Sequence, residues 1–226
     1  AWVFFDDDNV YVSARLWDSA PESQWVANEM QRDSFQLINN ERFSVQFDTY
    51  YDRRNGVAFV VNPIGGIVDF EITDEGSPNL NWNPVWDVQT GRFDGGWTAE
   101  MEIPFKAVRF RPGIAQVWGM QLSRRIRWKN EFAHLTLVPR TAMPGEFRIS
   151  AAGTLTGLEV PSGNRAFEIK PYAIGTMASD FNAAPIISNQ GDGNFGVDAK
   201  YGVTQNLTAD FTYNTDFAQV EVDEQQ

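Results

Sequence analysis

The sequence predicts an all-β protein, an antiparallel β-sandwich of the jelly-roll kind. Segments of period-two alternation recur along the chain, Gly/Pro/Asn/Asp turn signals separate them, and helical periodicity is scarce. Val10, Val12, Ala14 and Leu16 alternate with Tyr11, Ser13, Arg15 and Trp17, so the two sets face opposite ways. The acidic turn Asp6-Asp7-Asp8-Asn9 joins this strand to Trp2–Phe5 in a hairpin. The chain opens at Ala1-Trp2-Val3 as a strand already under way, so the opening strands of the sandwich are expected upstream. Residues 21–34 read either as a short helix with Trp25 and Met30 inward or as an irregular edge strand.

Phe43, Val45 and Phe47 alternate with Ser44, Gln46 and Asp48. The reversal through Asp52-Arg53-Arg54-Asn55-Gly56 leads into Val57–Val61, whose unbroken apolar run marks a central strand buried on both faces. A turn at 63–66 gives way to Ile67–Ile72, and the polar stretch 74–84 reads as a loop. Three further strands follow at 85–93, 97–103 and 116–126. In the second, Trp97, Ala99, Met101 and Ile103 face a core while Thr98, Glu100 and Glu102 face water, and Pro104 ends the ladder. Past residue 160 come a strand at 167–174, a Gly/Asn/Asp/Ser-rich loop over 178–194, and two alternating strands at 195–203 and 207–213. Their pattern fits a soluble hairpin and also, more weakly, barrel strands.

Composition limits the function. The chain has 226 residues, a formal net charge of −12 and no cysteine, which argues against nucleic acid or an anionic surface as partner and removes thiol chemistry. His134 is the single histidine, so His-pair metal sites are excluded, and no Gly-x-Ser-x-Gly elbow accompanies it. Gly191–Gly196 has the spelling of a dinucleotide fingerprint but precedes a strand where that motif needs a helix. The protein is therefore read as a non-enzyme, with a glycan hydrolase using Asp48 or Glu100 as the lesser alternative. The turn at Asp6–Asn9 is rich enough in oxygen for a surface calcium, and equally an ordinary acidic turn.

The tryptophans carry the functional lead, because an indole face receives the C–H face of a sugar while polar side chains at its edge read the hydroxyls. Trp82 and Trp86 flank Asn83-Pro84 at the end of the polar loop and are the first candidates for stacking. Asp48, Asp52, Arg54 and Asn55 form a candidate polar rim. Trp128 sits in a polar run, Arg127-Trp128-Lys129-Asn130-Glu131, whereas Trp97 and Trp118 belong to apolar patterns and read as core.

Three runs carry a resemblance: Arg42-Phe43-Ser44-Val45-Gln46-Phe47-Asp48-Thr49-Tyr50-Tyr51-Asp52-Arg53-Arg54-Asn55, then Val61-Asn62-Pro63-Ile64-Gly65, then Trp97–Phe105. Arg109-Phe110, Trp118-Gly119 and Arg124-Arg125 add to it. Together these resemble the N-terminal domain of a group of bacterial outer-membrane proteins, a domain similar to the family-9 carbohydrate-binding modules. The resemblance implies a sandwich that grips sugars between tryptophans and often carries structural calcium, ahead of a C-terminal transmembrane barrel. Lys200–Thr208 and Asp216–Asp223 look like the first barrel segments. On this reading residues 1–160 are the sandwich, and 161–226 are a linker and the first strands of a truncated β-barrel. The implied partners are an oligo- or polysaccharide and the outer membrane, with the sandwich periplasmic or at the cell surface. A second reading makes the sandwich a plug or assembly module of its barrel.

Overall fold

A computed structural model describes residues 1–111, 113–139, 145–160, 167–180, 187–204 and 207–214. The chain divides into two compact units, Ala1–Asn164 and Arg165–Gln226. Residues 161–166 and 205–206 and the segment Asp216–Asp223 named above lie outside the described residues.

The first unit is a sandwich of two antiparallel sheets. One sheet has the order β1 (Trp2–Phe5), β2 (Asn9–Trp17), β8 (Gly96–Pro104), β7 (Asp87–Phe93). The other runs β10 (Glu131–His134), β9 (Ala115–Ile126), β3 (Arg42–Asp48), β4 (Gly56–Val61), β5 (Ile67–Ile72), β6 (Pro78–Asn79), and β11 (Gly153–Glu159) also pairs with β9. The alternation read in β2 and β8 decides their faces. Val10, Val12, Ala14 and Leu16 meet Trp97, Ala99, Met101 and Ile103 in the central core, with Phe43, Val45, Phe47, Phe59 and Trp118 from the other sheet. Glu100 and Glu102 are exposed on the opposite face of β8.

The polar face of β3 does not meet water: Arg42, Ser44, Gln46 and Asp48 are all buried. The segment 145–151 covers this side of the sheet, with Ile149 and Phe147 packed on Ala58, Val60, Val68, Phe70 and Ile72. Most of the polar groups beneath it pair with one another, while one Arg42 guanidinium nitrogen is left without a partner among the described residues. Gln46 Nε2 donates to Ser44 Oγ at 2.9 Å, Ser123 Oγ lies 2.8 Å from His134 Nδ1, and Arg42 forms a 2.6 Å ion pair with Glu146. His134 is thus part of this layer, and burial holds its imidazole below the ordinary value. Residues 21–34 are neither a helix nor an edge strand: one 3₁₀ turn, Glu22–Gln24, is followed by irregular chain with a turn near Asp33, whose φ is +59, and Met30 is exposed.

The second unit is a three-stranded antiparallel sheet of β12 (Phe167–Asp180), β13 (Ile187–Thr204) and β14 (Leu207–Tyr213). The expected loop over 178–194 is largely strand. Gly175 and Met177 pair with Gly193 and Gly191, so the small residues that read as a loop continue the ladder. Among the described residues no helix is long and apolar enough to cross a membrane, a statement that concerns helices and leaves strands open.

Candidate functional site

The rim proposed at Asp48, Asp52, Arg54 and Asn55 is a self-contained turn. Asp48 accepts the amides of Asp52 and Arg53 at 3.0 and 2.8 Å, closing a reversal in which Tyr51 and Arg53 have positive φ. Asp52 accepts the amides of Arg54 and Asn55 and the Asn55 side-chain amide at 2.7–2.9 Å. Burial pushes the Asp52 carboxyl up, but these Asn55 and Arg54 hydrogen bonds outweigh it and leave the group below its ordinary value. Arg54 pairs with Asp74 at 2.6 Å in the open, and Asn55 Oδ1 accepts the Asp74 amide. These side chains spend their hydrogen bonds joining the turn after β3 to the turn after β5. Asp48 and Glu100, the acids weighed for hydrolysis, lie on the outward sides of different sheets.

Trp86 is a core residue, which corrects its assignment as a stacking face. It is 6% exposed, its ring meets Phe59 edge-on at 5.1 Å, and its Nε1 donates to Asp69 at 2.8 Å. Trp82 is half-buried, edge-on to the same Phe59 at 5.6 Å. Asp69 points into the sandwich from β5 and also holds Arg32 at 2.8 Å, and Arg32 donates to Asn83 Oδ1 and the Pro84 carbonyl. This clamp draws the 82–86 loop inward. Trp86→Phe removes a hydrogen bond to a charged acceptor and is expected to cost about 1.5–3 kcal/mol, read as a lower Tm. Ligand binding should be unchanged. An unaltered Tm with lost binding would return Trp86 to the site.

The open cavity lies at the other end of the sandwich from the Asp48 turn. Antiparallel register puts Arg42 opposite Arg125, and β3 spans about 20 Å from there to Asp48. The cavity encloses about 510 Å³ between the 26–29 segment, the 3₁₀ helix Phe35–Asn39 and the turn after β9. Its lining is Val26, Asn28, Glu29, Gln36, Asn39, Asn40, Arg127 and Trp128.

Buried polar groups build each wall. Asn40 Oδ1 accepts the amides of Asn28 and Glu29, and its Nδ2 donates to Asn28 Oδ1, which fixes the 26–29 segment. Glu41 accepts the amide of Arg127 at 2.8 Å and pairs with Arg124 at 3.3 Å, which fixes the turn. Burial lifts the Glu41 carboxyl above its ordinary value against the pull of the Arg127 amide and Arg124. Trp128 is 42% exposed, and its Nε1 donates to Asp18 at 2.9 Å, so the ring has a set orientation. Lys129 Nζ lies 5.0 Å from that ring's centre.

Glu29 is the one carboxylate in the lining, and it accepts the Gln31 amide and the Ser34 hydroxyl. Those bonds hold it below its ordinary value, so it stays a hydrogen-bond acceptor and has no proton to give near neutrality. Among the described residues no carboxylate forms an ion pair with the Arg127 guanidinium. The arrangement is one fixed indole face with amides, an Arg and a carboxylate at its edge, which is equipment for binding. At the acidic turn Asp6 gives its oxygens to the amides of Asp8 and Asn9 and to the Tyr11 hydroxyl. No cluster of three metal-binding side chains forms among the described residues.

Residues 166–226 match a family described as a domain of unknown function, DUF5916. No curated protein matches the sequence. Among solved structures, the chain is similar to a family-9 carbohydrate-binding module from Caldicellulosiruptor kristjanssonii in complex with cellotriose. Identity is 15%, the TM-score is 0.44, and 72% of this chain and 74% of that one are covered. The same module in complex with glucose matches at 14% identity and a TM-score of 0.42, over 72% of this chain and 75% of that one.

Proposed function

We propose that the sandwich is a non-catalytic glycan-binding module and that the second unit supplies strands to an outer-membrane β-barrel. The observation that carries the first part is the open cavity at Trp128, which joins an oriented, exposed indole to a polar rim. A pyranose lays its apolar face on the ring, while Asn28, Gln36, Asn39 and Arg127 reach its hydroxyls. The protein's own hydrogen bonds fix the turn and the 26–29 wall before the ligand arrives, which lowers the ordering cost of binding. Tryptophan fluorescence against a broad saccharide panel tests this. A saturable change with at least one saccharide is expected, and silence across the panel overturns the reading.

The second part rests on the two faces of the second unit. Ile169, Pro171, Ala173 and Met177 share one face with Phe195, Val197, Ala199, Phe211 and Tyr213, and Phe195 and Phe211 are 69% and 66% exposed. Lys170, Asp198 and Thr212 share a cross-strand row on the other face. At fourteen and eighteen residues, β12 and β13 exceed the roughly 9–11 residues a membrane strand needs. An apolar face toward lipid and a polar face toward a lumen explain this division. The chain has no cysteine, so single cysteines can carry a polarity-sensitive dye. With lipid vesicles, dye at Phe211→Cys is expected to report an apolar setting and dye at Asp210→Cys to report water. Equal signals would defeat the membrane assignment.

A further inference from the structure

We propose that Trp17 is a second stacking platform, which extends the Trp128 site from one sugar ring to a glycan chain; this rests on the saccharide reading of that site. Trp17 ends β2 and is 60% exposed, as open as any tryptophan among the described residues. Its ring is nevertheless held. The Arg15 guanidinium sits 4.5 Å from its centre, Phe93 meets it edge-on at 4.8 Å, and a Cβ added at Gly95 would come within 3.7 Å of it. Gly95 has a φ of +84 in the turn before β8, and its carbonyl accepts the Asp18 amide at 2.8 Å. An exposed indole supported from below and from the side is a prepared surface, since its orientation need not be bought from solution disorder.

The link to the site is covalent and electrostatic together. Asp18 follows Trp17 directly and accepts the Trp128 indole N–H at 2.9 Å. Arg124 donates to the Trp17 carbonyl at 2.5 Å and to Asp18 at 2.9 Å, and it pairs with Glu41, which holds the Arg127 amide. One largely buried cation thereby sets the backbone at Trp17 and the two carboxylates that place Trp128 and its turn. Both rings belong to the end of the sandwich where β2 and β9 finish, so a chain seated on Trp128 runs over Asp18 toward Trp17.

The experiment is a chain-length series on the full protein, using linear oligomers of β-1,4-glucose, β-1,3-glucose and α-1,4-glucose from one to six rings. For the series that binds, affinity is expected to step up about tenfold once the chain spans both rings, and then to level off. Trp17→Ala should erase that step and leave the shortest binding ligand unaffected, while Trp128→Ala should lose short and long ligands alike. Retained short-ligand affinity shows that the Trp17 variant is folded, and Trp17→Phe should recover part of the step. A step that survives Trp17→Ala overturns the inference while the Trp128 site stands. So does a change in self-association with no change in binding, which would make Trp17 a protein contact. No binding by any series overturns the saccharide site and this inference together.

Discussion

Trp128→Ala is expected to weaken saccharide binding by about 30-fold, which corresponds to roughly 2 kcal/mol for a central aromatic contact. The ring is exposed, so its removal leaves no hole in the core, and the thermal midpoint should move little. It does release the Asp18 oxygen that the indole N–H occupies, but that carboxylate keeps the Arg124 guanidinium and the Ala20 amide. Trp128→Phe keeps a stacking face and loses the bond that orients it, so an intermediate loss is expected. Titration calorimetry with the best saccharide of the panel, beside a melting curve for each variant, separates these effects. Undiminished binding by Trp128→Ala would move the site elsewhere, with the half-buried Trp82 next in line.

The fold was more legible than the site, and particular residues show why. In β2 and β8 one face meets a core and the other meets water, so alternation alone assigns each side chain. In β3 the same alternation is present, yet both faces are buried, because the covering segment 145–151 lies about a hundred residues further along the chain. Trp86 misleads for a related reason. Its neighbours Asn83 and Asp87 advertise exposure, whereas the partner of its N–H is Asp69, on a strand across a loop. Glycine-rich 191–194 reads as a loop because local propensity says nothing about a ladder partner such as Gly175. Trp128 was visible as an indole in a polar run. What sequence does not show is the cavity, which needs Asn28, Gln36 and Asn39 brought to it from a distant segment by buried Asn40 and Glu41.

Arg124→Met is expected to cost about 3–5 kcal/mol, because it strands two buried carboxylates at once. Asp18 and Glu41 are 1% and 0% exposed at their side chains, and the guanidinium lies within 2.9 and 3.3 Å of them. At roughly 2–4 °C per kcal/mol for a domain of this size, the melting temperature should fall by about 10 °C. Arg148→Met is the control, since its pair with Glu75 is 40% exposed on the Arg side and should contribute under about 1 kcal/mol. The pH dependence gives a second test. Burial already holds the Glu41 carboxyl above its ordinary 4.5, against Arg124 and the Arg127 amide, and removing the cation lifts it further. A raised folded-state value means the native protein binds that proton more tightly than the unfolded chain. The associated stability is fully present below the ordinary carboxylate value and is lost as pH rises through the raised one. The gap between Arg124→Met and the parent should therefore be widest near neutrality and narrow as pH falls toward about 4. A gap that is constant with pH would mean that the guanidinium acts through packing alone. Because the same cation holds Trp17 and Asp18, the variant should also lose saccharide affinity at temperatures where it remains folded. Such a loss would place the cause in the placement of Trp128 and Trp17, since Arg124 does not line the cavity.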